Sequence, residues 1–229
     1  VVDENDRLVG VLTIDDVVSA YGGLRPLTES AEVDTYTASR ASELIDHGRH
    51  GVVNFLSAMG GKYTSSRAFA SRIVTRIGKQ LGTGVAASRT AIVPLDGCAI
   101  TDLPAAVQAI RAKATADEVP DDTAEVLASL YGTSAPDVVA LMGEDERLRV
   151  RATGDGEPLA TVAYAARHEA PVHLVDVLLR RTGIGQMGDP GERVLGLAAD
   201  IVAAELRWSP ARREEELEVA RRAVRLPAD

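Results

Sequence analysis

From Pro104 to the C-terminus the chain is a succession of short Ala-, Leu-, Val- and Arg-rich stretches, each broken by Gly, Pro or a polar turn. That rhythm constrains the fold more than any other feature. Apolar residues recurring every three to four positions give a helix one face to bury. The pattern predicts helices at about 104–114, 121–131, 135–143, 157–170, 172–182, 191–207 and 210–225. The last start is the clearest, because Ser209 can cap it and Pro210 lacks only an N–H that would have no partner in a first turn. Val93 to Pro104 carries two prolines and Gly97 with no sustained period, so residues 93–103 read as a linker before an all-helical domain at 104–229.

Residues 1–92 have a different texture. Val1 to Val18 reads as strand, turn, strand and short helix, and Gly22-Gly23 with Pro26 then ends any helix. Thr35 to Ser39 and Val52 to Met59 read as strands, with a hairpin across the polar Asp46 to Gly51 turn. Ala68, Phe69, Ile73, Val74, Ile77 and Leu81 recur at helical spacing as far as Gly82. The expected class is α+β: an incomplete α/β domain followed by an all-α one.

The balance of 25 Lys+Arg against 34 Asp+Glu gives a net charge of -9, which argues against a nucleic-acid partner and confines any anion site to a local cluster. A single cysteine, Cys98, forms no internal disulfide and supplies no multi-cysteine metal site, which fits a reducing, cytoplasmic setting. The most apolar stretch, Val194 to Leu206, is cut by Asp200 and Glu205 and is shorter than the ~18 residues of a membrane span. Peripheral attachment to the inner face of the membrane stays open. Val1-Val2 is neither an initiator Met nor a leader, so the sequence reads as a piece of a longer protein.

The segment richest in chemistry is an apolar strand leading into Gly60-Gly61-Lys62, with Thr64-Ser65-Ser66 opening a helix. Paired glycines let backbone approach a flat or anionic group, and a helix start favours negative charge. The same residues also suit a tight turn with a solvated lysine. Arg25, held between Gly22-Gly23 and Pro26, and Arg40, after a strand, could join Lys62 around a phosphate, or stand alone on the surface. Gly183-Ile184-Gly185-Gln186-Met187-Gly188 spells the dinucleotide fingerprint, but it follows a helix and runs into Asp189-Pro190, so it is set aside. His168, Glu169 and His173 lack metalloprotease spacing because Pro171 intervenes. No metal site is expected.

Taken in order, these residues resemble the FAD-dependent glycerol-3-phosphate dehydrogenases. The resemblance rests on Asp15 to Leu27 with its Gly22-Gly23-Leu24-Arg25-Pro26-Leu27, on Ser39-Arg40, on Gly60 to Arg67, on Val93-Pro94-Leu95-Asp96-Gly97, and on the helical run from Val162 to Glu169 with Asp176 to Thr182 and Glu205 to Ser209. It implies the C-terminal half of an enzyme that oxidises glycerol 3-phosphate to dihydroxyacetone phosphate by hydride transfer from C2 to flavin N5, with electrons passing on to quinone or oxygen. It implies that Arg25, Arg40 and Lys62 line the substrate phosphate, and that Gly60, Gly61, Lys62 and Thr64 lie at the flavin. It leaves a homodimer open and places any catalytic base outside this chain. Ser65 and Ser66 replace a Thr and a Tyr of the family turn, and no His follows Arg40. The glycine-rich unit for the FAD pyrophosphate has no counterpart here, so the chain alone is expected to be inactive. Val1 to Val18 also resembles the end of a CBS nucleotide-sensing module, and the rival reading is a non-catalytic regulatory or interaction protein with a helical docking domain.

Overall fold

The computed structural model describes residues 42–60, 63–113 and 119–225. They fall into two units, divided between Pro94 and Leu95. The described residues are mostly helical, with one small two-stranded sheet.

In the first unit, β1 (Glu43–Asp46) pairs antiparallel with β2 (Leu56–Met59), Glu43 opposite Met59 and Asp46 opposite Leu56. The partner of β2 is thus Glu43–Asp46; the expected strand at 35–39 lies outside the described residues. The expected strand at 52–59 shortens to its second half because Val52 N–H donates back to His47 O and Asn54 takes a left-handed φ of 61°. Between the strands, His47–His50 forms a 3-10 turn capped by Asp46, whose carboxylate accepts from Gly48 N–H at 3.0 Å. Across the hairpin His47 Nε2 lies 2.9 Å from Ser57 Oγ, and its ring packs against Phe55 at 4.9 Å.

Helix α1 (Ser66–Gln80) follows a 3-10 turn at Tyr63–Ser65. Arg76 and Gln80 both reach the Asp46 carboxylate, at 2.5 and 3.3 Å, which ties α1 to the hairpin. The Arg76 hydrogen bond holds the Asp46 carboxyl below the usual carboxylate range. The apolar stripe predicted for α1 is present, yet Val74, Ile77 and Leu81 are exposed and Gly78 is its one buried residue.

The second unit holds the core. Helices α2 (Leu103–Lys113), α3 (Asp121–Tyr131), α4 (Ala135–Met142), α5 (Ala160–His168), the single turn α6 (Leu174–Asp176), α7 (Glu192–Leu206) and α8 (Pro210–Val224) follow one another, and α2, α3, α4, α7 and α8 keep within a residue of the expected boundaries. Each packs on its neighbours, α2 on α3, α4 on α5, α5 on α7, and α7 on α8. Leu127, Val138, Leu159, Val162, Leu178 and Leu195 are fully buried among them. The expected helix at 172–182 instead becomes α6 followed by a π turn at Val177–Arg181, closed by both the N–H and the hydroxyl of Thr182 donating to Val177 O. The expected helix at 157–170 begins later because Pro158 sits in an isolated bridge to Arg151. Ser209 caps α8 by accepting from Arg212 N–H at 3.2 Å.

Part of the stretch before α2 is held rather than loose. Gly97 O accepts from Thr133 N–H at 3.0 Å, and Asp102 caps the start of α2. Gly82 and Thr83 close the end of α1 by donating to Lys79 O and Gly78 O. Beyond them residues 84–94 carry short local turns, in which the Ile92 and Val93 N–H groups donate to Arg89 O and Thr90 N–H to Ser88 Oγ, with a long 3.5 Å bond from Arg67 to Thr90 Oγ1. Brief trypsin treatment is therefore expected to cut after exposed Arg89 and leave a fragment with undiminished helical circular dichroism signal. First cuts inside α5 or α7 would contradict independent folding of the helical unit.

Candidate functional site

Of the residues singled out as a phosphate and flavin site, Gly60 and Thr64 are described, while Arg25, Arg40, Gly61 and Lys62 lie outside the described residues. Gly60 ends β2 where the strand leaves the hairpin. A Cβ there would stand 3.1 Å from Ser42 Oγ and 3.4 Å from Ser42 Cα, so the close approach favours the absence of a side chain. Thr64 is exposed, and Tyr63 beside it is 96% exposed. Ser66 Oγ donates to Tyr63 O at 2.8 Å, closing the turn into α1. No acidic residue stands in the first turn of α1, so nothing there opposes an anion at its positive end. The described geometry is a strand running up to Gly60 and a 3-10 turn at Tyr63–Ser65 opening a helix, with the small residues Gly60 and Thr64 flanking residues 61 and 62.

Sequence reasoning missed a second region, in the helical unit. A cavity of about 730 Å³ lies between the Asp96–Leu103 segment and the α3 and α5 ends, walled by Tyr131, Tyr164, His168 and Glu169, with Cys98 on its rim. Tyr131 and Tyr164 meet edge to face at 5.1 Å, and His168 packs against Tyr164 at 4.6 Å. Burial pushes the Glu169 carboxyl up, and pushes the Tyr131 phenol up strongly. The spacing of Tyr164 and His168, four apart on one helix, was the available sign. Among the described residues no group of three or more His, Cys, Asp or Glu is placed to hold a metal, and no helix is long and apolar enough to cross a membrane.

Residues 88–213, more than half of the chain, match the family model for the C-terminal domain of alpha-glycerophosphate oxidase. The chain belongs to this family. The alpha-glycerophosphate oxidase C-terminal domain accounts for the whole run from before α2 into α8. Among curated relatives, the chain is 30% identical over 204 residues to glycerol-3-phosphate dehydrogenase 1 of Mycobacterium tuberculosis, covering 87% of this chain and 36% of that protein. It is 26% identical over 209 residues to the glycerol-3-phosphate dehydrogenase of Synechocystis, covering 90% and 37%. The chain thus spans little more than a third of the length of these relatives. A solved structure, the glycerol-3-phosphate dehydrogenase of Bacillus halodurans complexed with FAD, shares the fold with a TM-score of 0.60 at 20% identity, over 74% of this chain and 35% of that one.

Proposed function

We propose that this chain is the C-terminal portion of an FAD-dependent glycerol-3-phosphate dehydrogenase, in which Arg25, Arg40 and Lys62 hold the substrate phosphate and the Gly60 to Thr64 turn lies against the flavin. The observation that carries the site is the contact between Ser42 and Gly60. It brings together two segments that continue in sequence, one back to Arg40 and the other on to Lys62. Two cations converging there would bind a phosphate by charge-assisted hydrogen bonds. The relatives' names support the same substrate, and the FAD of the Bacillus halodurans enzyme supports the same cofactor.

The described residues fit one edge of FAD and not its nucleotide end. A side chain at Gly60 would crowd Ser42, Thr64 offers a hydroxyl in the open, and the α1 start carries no acid. The glycine-rich run at 183–188 follows a π turn instead of a strand, so the geometry required for pyrophosphate is lacking there. When bound, the flavin supplies the hydride acceptor. This chain's residues orient the substrate through its phosphate and keep positive charge beside the ring. The reading carries with it a cytoplasmic location, with quinone or oxygen as the final acceptor. The non-catalytic alternative, which leaned on residues 1–18 outside the described part and on the helical unit as a docking module, is not favoured by the relatives reported above, which are dehydrogenases by name.

Residues 1–229 alone, purified and incubated with FAD, are expected to retain no stoichiometric flavin after gel filtration and to oxidise no glycerol 3-phosphate. The same residues within the full-length protein are expected to carry about one flavin per chain and to turn over. A colourless, inactive full-length protein would overturn the proposal.

A further inference from the structure

Helix α1 carries two seams side by side. Phe69, Ile73, Arg76 and Gln80 follow one another at intervals of four, three and four, the spacing that keeps residues on one side of a helix. That side is in use: Phe69 and Ile73 are half-buried, and Arg76 and Gln80 reach the Asp46 carboxylate of the hairpin. Ala70, Val74, Ile77 and Leu81 repeat the same intervals one residue further on, about 100° round the axis. This second seam is apolar at every position. It is also open to solvent, with Ala70 exposed and Val74, Ile77 and Leu81 at 56%, 40% and 66% exposure.

The chain that follows α1 lengthens the strip instead of covering it. Both the N–H and the hydroxyl of Thr83 donate to Gly78 O, and Val85 is seated so closely on Gly78 that no Cβ would fit there. Val85 is itself exposed, so apolar surface continues past Leu81. From Ala70 to Leu81 alone it runs about 16 Å along the helix. An amphipathic helix draws most of its stability from burying its apolar face, and a contiguous apolar strip left on a surface marks a contact.

We propose that this second seam, Ala70, Val74, Ile77 and Leu81 with Val85, is the surface on which the part of the full-length protein outside this chain packs. The proposal rests on reading the chain as the C-terminal portion of a dehydrogenase. The occupant follows from length and attachment: this chain spans little more than a third of its relatives, so the larger part is a covalently linked neighbour, at an effective concentration that a free protein does not reach. The seam carries no charge at any of its positions, which suits the apolar face of an adjoining domain and offers nothing to a phosphate or a lipid headgroup. It also lies on the helix that opens from the Tyr63–Ser65 turn, so whatever seats on it stands next to the turn proposed to lie against the flavin. Flavin retention should therefore depend on Ile77 and Leu81, three to four turns along α1 from that turn.

The test compares the 229-residue chain with the full-length protein by native-state hydrogen exchange. The amides from Val74 to Leu81 are expected to be about a hundredfold or more better protected in the full-length protein. Ile77→Lys combined with Leu81→Lys is expected to leave the urea midpoint of the 229-residue chain unchanged, by circular dichroism, while lowering that of the full-length protein and releasing its flavin. Thr75→Lys, on the exposed polar side of α1, is the control and is expected to change neither. A full-length protein that holds flavin and tolerates the double change as it tolerates Thr75→Lys would overturn the seam and leave the dehydrogenase reading standing. A full-length protein that folds without flavin, yet is destabilised by the double change, would keep the seam and overturn that reading. A full-length dimer that the double change splits into monomers as stable as the wild type would assign the strip to a second copy and sink the proposal. Should the double variant not fold in the full-length protein, the protection of the two wild-type proteins decides.

Discussion

Replacing Gly132 by alanine is expected to lower the stability of the helical unit by about 3 kcal/mol, measured by urea unfolding. Gly132 ends α3 at φ 55° and ψ -124°, a conformation open to glycine and strained for other residues by about 1–3 kcal/mol. An added Cβ would also lie 1.8 Å from Gly97 O. That carbonyl accepts from Thr133 N–H, so making room breaks a hydrogen bond worth about 1 kcal/mol. Gly191 is the control within the same unit: its φ is also positive, at 85°, yet no atom lies within 4 Å of its would-be Cβ. Gly191→Ala should cost only backbone strain, within about 1–3 kcal/mol, with no hydrogen bond lost. Equal losses for the two variants would mean that the Gly97 segment is not seated on the end of α3 in solution.

If the chain is part of the proposed full-length dehydrogenase, Arg25→Ala or Lys62→Ala there is expected to weaken use of glycerol 3-phosphate by about 2–5 kcal/mol in kcat/KM, the range for losing a charge from a desolvated ion contact. Use of unphosphorylated glycerol should be nearly unchanged, because the lost partner is the phosphate. Flavin content should fall more for Lys62→Ala than for Arg25→Ala, as only Lys62 belongs to the turn proposed to lie against the flavin. Equal losses on glycerol and glycerol 3-phosphate would remove Arg25 and Lys62 from the phosphate site.

The helices were legible because their ends are chemical. Pro120, Gly132, Pro136, Gly143, Gly191 and Pro210 punctuate the sequence at or next to the observed boundaries. The strand Glu43–Asp46 was not legible. Four residues with charges at both ends carry too little alternation to stand out, and the strand is recognisable only through its pairing with β2 across the hairpin. At the candidate site, Gly60 announced itself by its pairing with Gly61, but the reason for it, the nearness of Ser42, is tertiary. Glu157, buried in the helical unit, was invisible among 34 acidic residues because nothing local buries it. Its trace in the sequence was present under another reading: the glycines at 183 and 185 resemble a nucleotide fingerprint, whereas in the fold they make room for Glu157 Oε2 and for Leu179 and Leu178 O. Close backbone approach leaves the same mark whether the neighbour is a phosphate or a side chain.

Trp208, the chain's one tryptophan, sits at the turn between α7 and α8, partly covered by the helical core and with the Arg212 guanidinium 4.7 Å from its ring centre. Arg212 is anchored in turn to Val172 O. Indole emission is sensitive to an adjacent cation and to solvent, so intrinsic fluorescence at tryptophan excitation reports the helical unit alone, while the hairpin and α1 stay dark. Comparing that signal with far-ultraviolet circular dichroism, which sums both units, gives a label-free readout of whether the two melt together or in sequence.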